Sequence, residues 1–371
     1  MATTRPALEP FGWDARREAA FDAHAAPGQV PGRVTGAARD AIRARTEDGD
    51  THVIVQRGFR RDAATASEFP VVGDWLALEP VGDGQTALRA VLPRTSRFAR
   101  GDHDAQRVQG GIHAEEQVIA ANIDTVVIVA ALDHDLNLRR LERYLALAWS
   151  SGADPVVLLN KSDLCDDVPG RLGEVRSIAS GAPVLVASAL RAEGLDALEA
   201  WTGPARTVVL LGMSGVGKST ITNLLLGEQR QAVREVREGD ARGRHTTTSR
   251  ELFQLPNGAL LIDTPGMRSI GLWDADDGLD RAFTDIEALA AACRFADCSH
   301  EVEPGCAVAA AIEAGELDAD RLRARRKLHR ELGLVAQRSD AASRHAAGRR
   351  WGKVTREAAK AAEAKRHGWS L

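Results

Sequence analysis

The run Gly212-Met213-Ser214-Gly215-Val216-Gly217-Lys218-Ser219 fills the pattern G-x-x-x-x-G-K-S completely, with Thr220 behind it. Glycines at its ends let the backbone curl until successive N–H groups point inward at phosphate oxygens, and a helix starting there adds partial positive charge. Lys218 would then reach the β- and γ-phosphates of a nucleotide as a catalytic cation, and the Ser219 hydroxyl would ligate Mg2+. Asp263-Thr-Pro-Gly266 follows 45 residues after Lys218. Asp263 can hold Mg2+ through its water shell, and the Gly266 N–H can meet the γ-phosphate.

Asn160-Lys161-Ser162-Asp163 offers a different chemistry. The Asp163 carboxylate can accept hydrogen bonds from the guanine N1–H and exocyclic amine, a pair that adenine lacks. The Lys161 stem can cover the base plane, and Asn160 can tie this loop to the phosphate loop. A backbone N–H in Ser188-Ala189-Leu190 can meet the guanine O6. Two such base-reading elements favour GTP, with GDP as product, over ATP.

Between the phosphate loop and Asp263 lies Arg242-Gly-Arg-His245-Thr246-Thr247-Thr248. A threonine here, Thr247 in preference to its neighbours, would close on Mg2+ and the γ-phosphate; a solvated Thr-rich loop is the alternative. Met267 stands directly after Gly266, where many GTPases place the glutamine that orients water, so intrinsic turnover should be slow. His245 is either a catalytic substitute for that glutamine or a surface histidine. Cys293-x4-Cys298-x-His300-x5-Cys306 supplies three thiolates and one imidazole within fourteen residues. That set suits one tetrahedral structural Zn2+, the alternative being unliganded buried thiols. Cys165 reads as a plain small residue.

Elements must carry these groups. TVVIVAAL, PVVLLNKSD, PVLVASAL, TVVLLGMSG and ALLIDTPG are near-continuous apolar strands, each closing in a polar or Gly turn. Helical stretches lie between several of them. In one, Leu138, Leu141, Leu145, Ala148 and Trp149 share a face and read as core. The alternation implies a largely parallel, doubly wound α/β sheet over about 118–275, with ligand loops at the carboxyl ends of its strands. The order is anomalous: Asn160 precedes Gly212 by 52 residues, whereas ordinary small GTPases run P-loop, DxxG, NKxD. A circular permutation preserves such a sheet, because the termini of compact domains lie close together. It also leaves the segment after Gly266 running straight into the C-terminal region, where nucleotide state is expected to be transmitted mechanically.

Ahead of the sheet, about five short alternating strands over residues 30–92 suit a small β-barrel, with an OB-fold the leading candidate. That barrel either binds nucleic acid on one face or only packs against its neighbour. Residues 1–28 read as a loosely ordered lead-in, and Arg94–His113 as a connecting loop. The expected units are therefore the lead-in 1–28, an OB-fold barrel 29–105, a permuted GTPase domain 106–280, and a zinc-binding α-helical domain with a basic tail, 281–371. Hydrophobic content of 44% and charged content of 27% fit a globular chain. No apolar run is long enough to cross a bilayer, and no signal core opens the chain. Clustered cysteines point to a reducing compartment, so the expectation is a cytoplasmic protein, not bound to membrane and by default monomeric. The net charge of -4 hides fifteen Lys/Arg against four Asp/Glu from Arg321 onward, which suggests a polyanionic partner or a solvated tail.

With these motifs in view, the chain resembles the bacterial ribosome small-subunit-dependent GTPase A family. The resemblance is carried by FPVVGDWLAL, LPRTSRFAR, EQVIAANIDTVVIVAALD, LRRLERYLALAWSSG, NKSD ahead of GMSGVGKST, RGRHTTT, IDTPG and CRFADCSHEVEPGC. It implies an N-terminal OB-fold, a central permuted GTPase and a C-terminal zinc domain. It also implies late maturation of the 30S ribosomal subunit, contact with its rRNA, and hydrolysis stimulated by that subunit. The alternative is a nucleotide-gated RNA-binding module whose hydrolysis is incidental, which Met267 keeps open.

Overall fold

The computed structural model describes residues 5–38, 41–62, 65–101, 116–133, 136–227, 250–263, 276–301 and 303–333. Five short strands close the expected barrel: β1 (Val30–Ala37), β2 (Ile42–Thr46), β3 (Gly49–Ile54), β4 (Trp75–Gly82) and β5 (Gln85–Val91), with the short helix α2 (Arg57–Asp62) between β3 and β4. Their order is β1-β2-β3-β5-β4 with β4 returning to β1, antiparallel except for the β3–β5 pair. Period-two alternation explains the closure. Leu76 and Leu78 of β4 point inward to Val34, Ala44, Val53 and Leu88, while Trp75 and Ala77, alternating with them, face out.

That outer face is covered, which corrects the expectation of a loosely ordered lead-in for residues 5–28, residues 1–4 lying outside the described residues. Helix α1 (Ala15–His24) starts at Asp14, whose side chain accepts from Arg17 N at 2.8 Å. Leu8, Trp13 and Phe21 pack on Trp75, Ala77 and Leu92, with the Trp13 ring edge-on to Trp75 at 4.8 Å. Only Phe21 of α1 is buried, so no helical apolar stripe advertises the segment. The connecting loop expected over Arg94–His113 is also corrected for residues 97–101, while residues 102–113 lie outside the described residues. Arg97–Gly101 forms β6, paired antiparallel with β7 (Glu116–Ala121). In the five residues RFARG the alternation is too brief to read as a strand, yet Phe98 is buried.

The second sheet comprises β8 (Thr125–Ala131), β9 (Asp154–Asn160), β10 (Val184–Val186), β11 (Thr207–Leu211), β12 (Arg250–Gln254) and β13 (Leu260–Asp263). Its order is β10-β9-β8-β11-β13-β12, parallel except for β12. Helices α3 (Leu138–Ser150), α4 (Val168–Ile178) and α5 (Lys218–Leu226) alternate with these strands. Leu141, Leu145 and Ala148 are buried, with Leu138 and Trp149 packed at the edge of the same core. The chain turns from one side of the sheet to the other between β8 and β11, the kind of switch point where α/β sheets bind ligands.

The two sheets are spliced. Strand β12 also pairs with β1, Glu251 opposite Gly36 and Arg250 opposite Ala37, and Arg43 bridges to Glu251 at 2.5 Å. Arg33 fixes the same seam from inside: its buried guanidinium donates to Thr207 Oγ1 at 2.7 Å, to Asn122 O at 3.1 Å and to Phe11 O.

Three further helices, α6 (Asp276–Ala282), α7 (Thr284–Ala290) and α8 (Ala307–Glu313), precede a helical run over residues 319–333. They dock on α3 through buried charge. Arg321 donates to Glu142 Oε1 at 2.9 Å, to Asp285 Oδ1 at 2.7 Å and to Ala282 O at 3.0 Å, with its plane over Phe283. Among the described residues no helix is long and apolar enough to cross a membrane. Most of the basic tail lies outside the described residues.

Candidate nucleotide and metal sites

The phosphate-loop motif falls between β11 and α5, as a strand–loop–helix arrangement requires. Gly217 has φ +100°, and a Cβ there would lie 2.2 Å from Asn160 Nδ2; one on Gly212 would lie 2.3 Å from Val129 O. Glycine is needed at both positions because the neighbouring strand ends crowd the loop. Ser219 and Thr220 stand half-buried in the first turn of α5. The Lys218 ammonium folds back over the loop, donating to Gly212 O at 2.7 Å and to Met213 O.

The candidate base-reading residues collect at the same sheet edge. Asn160 ends β9 and is buried; its Nδ2 donates to Val216 O at 2.8 Å, and its Oδ1 accepts from Ala189 N at 2.8 Å. One amide therefore links the NKSD loop, the phosphate loop and the loop after β10. Ser188 Oγ donates to Asp163 Oδ1 at 2.5 Å, and this bond holds the Asp163 carboxyl below the usual carboxylate range. Ser162 N donates to Ala187 O at 3.1 Å, closing the corner.

Asp263 ends β13, two strands along from β8 and directly beside β11. Gly266, His245, Thr247 and Met267 lie outside the described residues. Sequence reasoning missed Asp133. It follows β8, and its Oδ2 meets Lys161 Nζ at 2.9 Å. The available signal was a polar residue just past the carboxyl end of a parallel strand, where α/β sheets gather ligand groups.

The second site lies between α7 and α8. Cys293, Cys298, His300 and Cys306 bring their ligand atoms within 4.8 Å of one another. Cys293 Sγ lies 3.9 Å from Cys306 Sγ, and His300 Nδ1 lies 3.6 Å from each of these two sulfurs. Around a tetrahedral ion with Zn–S of about 2.3 Å and Zn–N of about 2.0 Å, the S–S edge is about 3.8 Å and the S–N edge about 3.5 Å. The cluster therefore could hold a zinc ion with little movement, and its four protein ligands leave no open position. Burial, aided by the nearby Arg325 and Arg326, pushes the His300 imidazole pKa down and favours the neutral ring a metal needs.

Comparison with known proteins agrees with this geometry. The RsgA GTPase family model matches residues 91–273. The chain is 44% identical to the small ribosomal subunit biogenesis GTPase RsgA of Streptomyces avermitilis, over 98% of this chain and 95% of that protein. It is 43% identical to the protein of the same name from Xanthomonas axonopodis pv. citri, over 90% of each. Among solved structures it resembles YjeQ from Thermotoga maritima, with a TM-score of 0.62 and 24% identity over 82% of this chain and 98% of that one. It also resembles YloQ, described as a circularly permuted GTPase, with a TM-score of 0.56 and 24% identity over 84% of this chain and 96% of that one. A barrel, a sheet whose NKSD loop precedes its phosphate-loop motif, and a C-terminal Cys3His cluster thus accompany 44% identity over nearly the full length, and the chain belongs to the RsgA GTPase family.

Proposed function

We propose that this protein hydrolyses GTP as a timed maturation factor for the small (30S) ribosomal subunit, acting as a cytoplasmic monomer that contacts ribosomal RNA. The observation that supports it most is the Asn160 amide, which joins the guanine-reading loops to the phosphate loop in one hydrogen-bonded unit. The relatives' names supply the subunit as partner.

Asp163, oriented by Ser188, accepts from the guanine edge; the Lys161 stem covers the base; and a backbone N–H near Ala189 faces O6. Phosphates lie along the amides of Gly212 to Thr220, with Lys218 moving from the loop carbonyls to the β- and γ-oxygens. Mg2+ held by Ser219, Thr247 and, through water, Asp263 would supply neutralisation of the developing phosphate charge. Gly266 N–H and Thr247 would sense the γ-phosphate, and His245 would orient water. One structural zinc ion on Cys293, Cys298, His300 and Cys306 fixes the C-terminal helices that meet the subunit.

Hydrolysis resets the arrangement of the GTPase and zinc-binding units, so affinity for the subunit should depend on nucleotide. Co-sedimentation with purified 30S subunits tests this, using a non-hydrolysable GTP analogue against GDP. Tighter binding with the analogue is expected. Equal binding with both nucleotides, or a preference for 50S subunits, would overturn the reading.

A further inference from the structure

Strands β8 and β9 run parallel and in register, Ala131 beside Asn160, and Leu132 N donates to Asn160 O at 2.8 Å. The two chains leave the sheet side by side, so the residues just past that register meet. Lys161 adopts the left-handed conformation, φ +63°, and carries its side chain toward the β8 loop, where Asp133 Oδ2 takes its ammonium at 2.9 Å. Both side chains are sheltered, with 26% and 16% of their surfaces exposed.

We propose that Asp133 is a positioning residue for guanine-nucleotide binding, acting through Lys161; the inference rests on the nucleotide-site reading above. A lysine stem is four rotatable carbons long, and leaving it free costs binding energy when a base must immobilise it. Asp133 pins the far end. The stem is thereby laid out along the loop that presents Asp163 before any nucleotide arrives.

The effect belongs to the base plane and not to the hydrogen-bonding edge. Asp133→Asn keeps the shape, removes the charge, and is expected to weaken fluorescent GDP binding about three- to tenfold, the range of a partly sheltered charge-assisted hydrogen bond. The loss should be equal for GDP and for inosine diphosphate, which lacks the exocyclic amine, because Asp163 is not disturbed. Asp133→Glu, which restores the charge, should recover part of the affinity.

The decisive experiment is a double-mutant cycle on GDP affinity with Asp133→Asn, Lys161→Met and both together. Once Lys161 is gone, removing the Asp133 charge should cost nothing further. Additive losses would overturn the proposal, as would an unchanged affinity in Asp133→Asn or a loss that falls on GDP and spares inosine diphosphate. If the unaltered protein itself fails to prefer guanine to adenine nucleotides, it is the nucleotide-site reading that fails.

Discussion

Replacing Arg321 by methionine should cost about 3–5 kcal/mol of stability, and the structure shows where that figure arises. Arg321 is 4% exposed, and its partner Glu142, on α3, is fully buried. Removing the guanidinium leaves the Glu142 carboxylate with Arg139 alone, at 2.9 Å from a side chain that is 37% exposed. Stranding a buried charge in this way typically costs about 3–5 kcal/mol. The Asp285 half of the network adds little, about 0–1 kcal/mol, since that carboxylate is one-third exposed. Loss of the bond to Ala282 O is part of the same event and not a separate sum. Adding Glu142→Gln removes the stranded charge, so the double variant should recover most of the loss. Acidity provides a second check. Burial raises the Glu142 pKa despite Arg139 and Arg321. A carboxyl raised in the fold destabilises it when ionised, and the penalty fades as pH falls through the folded-state value. Without Arg321 that value rises further, so the variant's deficit should be largest near neutrality and shrink toward acid. Urea unfolding of the single and double variants at several pH values measures all of this. A loss below about 1 kcal/mol, or a double variant no more stable than the single, would refute the reasoning.

Trp13→Ala should cost about 3–5 kcal/mol in thermal or urea unfolding, because the ring is 6% exposed against Trp75 and its Nε1 donates to Glu18; a tolerated change would mean the N-terminal segment does not cap the barrel. Cys306→Ser should take zinc content by elemental analysis from one per chain to near zero and loosen residues 276–333 to proteolysis; zinc retained in full would remove Cys306 from the ligand set. Ser188→Ala should let the Asp163 pKa rise. Since a lowered carboxylate contributes above its ordinary range and fails as pH falls through its folded value, GDP affinity of the variant should collapse at a higher pH than that of the unaltered protein; coincident pH profiles would contradict the assignment.

The candidate nucleotide site was legible because it resides in short loops whose residue types are constrained by backbone crowding and by hydrogen bonds between loops. Gly217 is glycine because Asn160 occupies the space of a Cβ, and Asn160 is asparagine because both ends of its amide are used. The barrel strands announced themselves by alternation, as Trp75 to Leu78 show. Contacts made by single residues across long separations left no pattern. Arg33 reads as any strand arginine until its guanidinium is seen on Thr207, 174 positions away. Trp13 lies just ahead of a mostly exposed helix and Phe21 within it, so the two carry no period, and the β1–β12 splice rests on two residue pairs. Asp133 illustrates the middle case: its place at a strand end was readable, its partner was not.

The central claim is a GTP hydrolase governed by the small ribosomal subunit. The measurement that tests it most directly is GTP turnover by the purified protein alone and with 30S subunits, 50S subunits or free RNA. Slow turnover alone, with a large rise for 30S subunits and for no other addition, is the predicted result. Turnover unmoved by 30S subunits would contradict the claim and leave a nucleotide-gated RNA-binding module in its place.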